Sequence, residues 1–209
     1  SSTILPKEAL MLEVLESELK AGRRVMVHGW HLNLLPRLSR LIEAQFSEPA
    51  TILWADKVPT QKRQAWIDKE VIAKKRNVLV VNPVCVQTGL NNLVWFCTEV
   101  WMQNPGCNPI VYRQAVGRVD RIGQKKETRI YIPVYEGTAQ QLAHKLLLHK
   151  VGVSLATDGL DAESALAAAG VGDAESFDGF SVGRMLFGMM DRGEEMTREK
   201  PVAVARTQS

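Results

Sequence analysis

Asn77-Val78-Leu79-Val80-Val81-Asn82 is the stretch that decides the fold class. Four apolar residues, three of them valines, stand unbroken between two asparagines. A strand with one wet face alternates apolar and polar residues. An unbroken β-branched run is buried on both faces, as in the middle of a parallel sheet. Working outward, the same alternation of element types recurs. Residues 24–28 (Arg24-Val25-Met26-Val27-His28), 51–54, 93–97 and 129–134 predict further short strands. Between them, helical spacing predicts helices over residues 7–20, 32–46, 60–74, 109–121 and 138–150. Gly22 ends the first, Thr60 is a candidate cap for the third, and Pro109 suits the first turn of the fourth. Strands alternating with helices of 10–15 residues imply an α/β fold, a parallel sheet with helices on both faces. In such sheets ligands bind outside the carboxyl ends of the strands. The loops after His28, Trp54, Asn82 and Cys97 are therefore where chemistry is expected.

Composition sets the outer limits. The chain has 209 residues, 45% of them hydrophobic and 23% charged, which excludes a wholly disordered or fibrous chain. The longest apolar runs are four or five residues, against about 20 for a membrane span. No charged-then-apolar leader opens the chain, so no membrane partner and no secretion are expected. Localisation is expected to be cytoplasmic in a bacterium or phage and nuclear in a eukaryote. Cys85, Cys97 and Cys107 are an odd count without ligand spacing, and read as buried reduced thiols. His28-Gly29-Trp30-His31 has no accompanying ligands, so no metal site is expected.

Charge divides the chain. Residues 1–150 hold 21 Lys and Arg against 13 Asp and Glu; residues 151–209 hold 5 against 10. The first part suits a polyanion. The second is acidic and rich in Ala and Gly, with a helical stretch at residues 162–169. It reads as a short, mostly helical or flexible C-terminal extension, able to meet a protein partner. The boundary is placed near residue 150.

Gln114-Ala115-Val116-Gly117-Arg118-Val119-Asp120-Arg121-Ile122-Gly123-Gln124 carries the functional signal. On a helix, Gln114, Arg118 and Arg121 share one face. Gly117 leaves room beside it for a backbone or a phosphate. Two guanidiniums three residues apart offer fork geometry to phosphate oxygens.

This string resembles the sixth motif of superfamily 2 helicases, in the form used by the Swi/Snf branch of duplex-DNA translocases (Q-A-x-G-R-x-x-R-I-G-Q). Asn108-Pro109 stands where that branch has N-P before Q-A. Thr88-Gly89-Leu90-Asn91 resembles the fifth motif and Val25-Met26-Val27-His28-Gly29-Trp30 the fourth. Thr138-Ala139-Gln140-Gln141-Leu142 resembles the start of the downstream helix. The resemblance covers roughly residues 5–150. Asp120 replaces the usual His, residues 84–88 lack the usual Gly-Gly, Ala55-Asp56 replaces Asp-Gly, and residues 99–107 look like a small insertion.

The resemblance implies the second RecA-like domain of an ATP-dependent DNA helicase or translocase, residues 1–150, followed by the extension, residues 151–209. Arg121 would be the arginine finger and Arg118 its assistant. Gly89, Asn91, Gln114 and Gly117 would border the nucleotide. His28, Trp30, Lys57, Arg63 and Thr88 would contact a DNA backbone, duplex in this branch. ATP with Mg²⁺ would be the cofactor, its metal held by an N-terminal RecA-like lobe. The 209 residues contain no G-x-x-x-x-G-K-[ST] loop and no acidic D-E-A-H-type box, so the chain by itself is expected to be inactive as an ATPase. An RNA helicase lobe and a non-catalytic nucleic-acid- or protein-binding module are the alternatives.

Overall fold

The parallel sheet forms as expected. A computed structural model describes residues 3–86, 90–103, 113–114, 119, 122–159 and 201–208. Its strands are β1 Val25–His28, β2 Ala50–Leu53, β3 Val78–Val81, β4 Thr98–Trp101, β5 Thr128–Tyr135 and β6 Pro201–Gln208. Their spatial order is β2-β3-β1-β4-β5-β6. The pairs β2/β3, β3/β1, β1/β4 and β4/β5 are parallel. The valine-rich run is β3, buried at every position between β1 and β2.

Helices α1 (Pro6–Lys20) and α2 (Leu34–Phe46) cover one face. Met11 and Leu15 of α1 and Leu35, Leu38 and Ile42 of α2 are fully buried against Val25, Val27, Val78, Val80 and Val100. Burying each such side chain contributes about 1.5–3 kcal/mol. The alternate strand positions Met26, Leu79, Val81 and Trp101 are equally inaccessible, so the second face is covered too.

Polar groups lock α1 in place. Pro6 opens it, and the Glu8 carboxylate turns back to accept the Leu5 N–H at 2.8 Å. The same carboxylate takes a two-pronged contact from Arg37 of α2, at 2.5 and 2.7 Å. Burial alone would raise the Glu8 pKa; the Arg37 and Leu5 donors outweigh it and hold it below the usual value. At the other end of α1, the buried Glu18 carboxylate accepts from Thr98 (2.6 Å), Arg23 (2.5 Å), Tyr131 (3.0 Å) and Arg129 (3.1 Å). Burial again pushes upward, and these four donors together keep Glu18 below the usual carboxylate range. Tyr131 is pushed up by burial and by that same carboxylate.

The structure departs from the expected elements in three places. Residues 60–72 form one helical run of mixed winding: a tight turn Thr60–Lys62, α3 Arg63–Ile67, and a π-wound turn Asp68–Ile72. Its N-cap position is Pro59, not Thr60, and no side chain caps it. Second, residues 93–97 are not a strand. Asn92–Trp95 is a 3₁₀ turn, and the strand is β4, three residues further on. Glu99 therefore belongs to the sheet rather than to an insertion. Thr98 and Glu99 hid β4, because polar residues in a fully buried strand argue against it unless their partners are known. Third, residues beyond 150 add to regular structure. Helix α4 runs Ala139–Thr157, starting as expected but ending later, and β6 lies beside β5. The helix expected over residues 109–121 and that over 162–169 lie outside the described residues, residues 113–114 and 119 excepted.

Contact density divides the chain into two compact units. One comprises residues 1–105, 111–133 and 203–209; the other comprises residues 106–110 and 134–202. The first contains most of the sheet with α1, α2 and α3, and the second contains α4. At the start of α4, the Thr138 hydroxyl donates to the Tyr135 carbonyl at 2.6 Å and Gln141 accepts the Gly137 N–H at 3.1 Å.

Candidate functional site

The chain runs from β1 to one side of the sheet and reaches β4 on the other. The carboxyl ends of β1 and β4 are therefore the topological switch point, where sheets of this kind bind ligands. Three loops meet there, after β1, β3 and β4. Side-chain amides lace them together. Gln103 accepts the Trp30 N–H at 2.8 Å and lies 3.3 Å from the His31 N–H. Asn82 donates to the Trp30 carbonyl at 2.6 Å and accepts the Val84 N–H at 2.9 Å. The Gly29 N–H reaches the Val81 carbonyl at 3.0 Å. Gly29 is required for closeness: a Cβ there would stand 2.7 Å from Leu35, in the first turn of α2. The N–H groups of residues 29–31 and the Trp30 carbonyl thus have partners, which hold the turn without any charged side chain.

Trp30 is half-buried on this turn, and His31, Leu32 and Asn33 are exposed beside it. Lys57 is exposed after β2, its ammonium 5.1 Å from the Trp54 ring. Asn91 is exposed, and its N–H is accepted by Gln64 of α3 at 3.0 Å. Asn92 donates to the Gln64 carbonyl and to Asp68, at 3.0 and 2.8 Å. The segment carrying Asn91 is thereby docked on the helical run. Gln114 is exposed on a helical residue pair with Arg113. Thr88, Gly89, Gly117, Arg118 and Arg121 lie outside the described residues.

Two expected backbone contacts need correction. His28 ends β1 but points inward at 1% exposure. Its ring stacks on Trp101 at 4.2 Å and 21°. Its Nε2 stands 3.1 Å from a Glu99 oxygen, without the alignment of a hydrogen bond. Trp101 donates to that same Glu99 oxygen at 2.7 Å. Arg63 is also interior at 8% exposure. Its guanidinium donates to the carbonyls of Val58 and Cys85, both at 3.1 Å, tying the loop after β2 to the segment after β3. Neither side chain is placed to meet a phosphate. In both cases the interior offered acceptors or a ring that the sequence does not reveal.

The end of the arginine motif has a structural role of its own. Val119 is fully buried. The Gln124 amide nitrogen lies within reach of three carbonyls, those of Val94 (3.2 Å), Phe96 (2.7 Å) and Val119 (3.0 Å). Its oxygen accepts the N–H groups of Lys125 and Lys126. Gly123 sits at φ 104°, a conformation open to glycine and strained for other residues. The I-G-Q ending therefore pins the end of the motif to the entry of β4. Asn82, Gln103, Gln64 and this use of Gln124 were missed. For Asn82 and Gln103 the available signal was a lone amide directly after a hydrophobic run.

Among the described residues no three His, Cys, Asp or Glu side chains cluster as a metal site. Cys85 and Cys97 are buried free thiols, and burial pushes the Cys85 pKa up. Cys107 lies outside the described residues. No described helix is long and apolar enough to cross a membrane.

No family model matches the chain. Over 47 residues, 22% of this chain, it is 40% identical to the RNA polymerase-associated protein RapA of Vibrio vulnificus, in strains YJ016 and CMCP6. That match spans 5% of the length of those relatives. Among solved structures, the C-terminal part of the Fun30 ATPase domain superposes with a TM-score of 0.59. The superposition covers 68% of this chain and 45% of that one, at 20% identity. The fold is thus a RecA-like α/β fold, the one found in the C-terminal part of the Fun30 ATPase domain.

Proposed function

We propose that the chain is the C-terminal motor lobe of an ATP-dependent DNA translocase of Swi/Snf type. The observation that carries this reading is the string Gln114–Gln124, with its two arginines, lying between β4 and β5 of a sheet that superposes on the C-terminal part of an ATPase domain. The local identity to RapA supports it. In this reading Arg121 stabilises charge on the γ-phosphate, and Arg118 assists or holds the adjacent phosphate. Gly89, Asn91, Gln114 and Gly117 border the nucleotide; Gln114 and Asn91 are exposed. ATP with Mg²⁺ would be held from the other side by an N-terminal lobe, which supplies the Walker lysine and the metal-binding carboxylate. Trp30, Lys57 and Thr88 are the proposed contacts to a DNA backbone, duplex by preference. Such contacts read phosphates and not sequence. The acidic residues beyond 150 are proposed to meet a protein partner.

The test is the ATPase rate of the full-length protein, wild type against Arg121→Ala, without nucleic acid and with duplex DNA, single-stranded DNA or RNA. Duplex stimulation is expected, with a fall of about 10³–10⁵ in kcat in the variant. Preference for RNA would move the chain to another helicase branch. A fully active Arg121→Ala protein would remove the finger assignment.

A further inference from the structure

A cleft lies at the opposite, amino-terminal edge of the sheet. Arg24 immediately precedes β1, Cys97 precedes β4, and Lys125 and Lys126 precede β5. These residues, with Trp95 and Val94, line a cleft of about 440 Å³. Its walls are predominantly apolar and its described lining contains no carboxylate. The three cations are not neutralised by any acid among the described residues. Lys126 donates to the Gly22 carbonyl at 2.6 Å, and Arg24 to the Trp95 carbonyl at 3.3 Å. The neighbouring Glu127 is engaged by Arg129 at 2.9 and 3.1 Å. The site is also built and not merely charged. The Arg24 guanidinium lies 3.5 Å from the Trp95 ring centroid, and the Trp95 indole N–H is held by the Arg76 carbonyl at 2.9 Å. Gln124 fixes the backbone of Lys125 and Lys126 through its oxygen.

We infer that this cleft docks an acidic peptide that carries an apolar side chain. The apolar side chain would fill the floor formed by Val94, Trp95 and Ile72. The flanking carboxylates would meet Arg24, Lys125 and Lys126, an arrangement of apolar centre and charged rim common to peptide-sized interfaces. A nucleic acid fits less well. Its sugars are more polar than an aliphatic side chain and suit the apolar walls less, and Arg24 already occupies one of the two Trp95 faces on which a base could stack.

The probe is a fluorescein-labelled peptide of aspartates and glutamates around one leucine, titrated with the whole chain and read by anisotropy. Binding that weakens with salt is expected. The Lys125→Glu, Lys126→Glu double variant should weaken it on the order of tenfold, a change of about 1.4 kcal/mol. A peptide with serine in place of leucine should lose affinity comparably. Both lysines are exposed, and an unchanged melting curve would show that the variant is folded. Absence of binding to the wild type overturns the inference. So does equal affinity of the variant, or a serine peptide that binds as well as the leucine one. Duplex DNA binding abolished by the double variant, with the peptide unaffected, would assign the cleft to nucleic acid instead.

Discussion

The two edges of the sheet are held by different chemistry. At the amino edge, a buried carboxylate, Glu18, collects four donors, and two of them, Arg23 and Arg129, are cations. At the carboxyl edge, neutral amides of Asn82 and Gln103 satisfy backbone groups one at a time. A buried charge is costly unless fully paired, so the first arrangement is all-or-none. An amide contact can be lost singly at modest cost, so the second holds its loops without committing any charge. The proposed ligands of the carboxyl edge are polyanions. The exposed Lys57 at this edge is not drawn into these amide contacts and can meet such ligands. Loss of one contact is therefore expected to disturb the fold more where the strands begin than where they end.

The largest effect expected from breaking this contrast is at Glu18. Glu18→Ala leaves Arg23 buried without its partner and should cost about 3–5 kcal/mol by urea unfolding. The same residue sets a pH dependence. Its folded pKa is depressed below the usual 4.5. Its contribution is therefore complete above about pH 4.5 and declines as pH falls through the folded value. Glu18→Gln should flatten that part of the acid profile; an unchanged profile would show that Glu18 carries no linked charge.

A smaller loss is expected from Gln124→Ala, which strips donors from carbonyls at the entry of β4. About 1–3 kcal/mol should be lost, and ATPase activity of the full-length protein should fall along with it if the arginine motif depends on this anchor. A stability loss with unaltered activity would separate the anchor from the motif. The smallest effect is assigned to Gln103→Ala. About 1 kcal/mol is expected, read best as faster hydrogen exchange at the Trp30 amide while the strand amides keep their protection. A loss as large as that of Glu18→Ala would erase the difference between the edges.

Much of the molecule was legible from its residues. The valine run of β3 carries its own burial, because a strand without polar positions has no face to give to water. Helices α1 and α2 were readable from spacing, and the arginine string from its length and residue types. Elsewhere a residue's role depended on partners far away in the chain. Thr98 and Glu99 are acceptable inside a sheet because Glu18, His28 and Trp101 surround them. His28 and Arg63 look like surface contacts in sequence and are interior staples in the fold. Gln124 reads as the last letter of a motif, yet its amide supports carbonyls of Val94 and Phe96, 30 and 28 positions earlier. Periodicity and local chemistry are properties of neighbours along the chain, and those the sequence determined by itself. Which polar groups are buried, and whom they satisfy, was decided only when folding brought distant segments together.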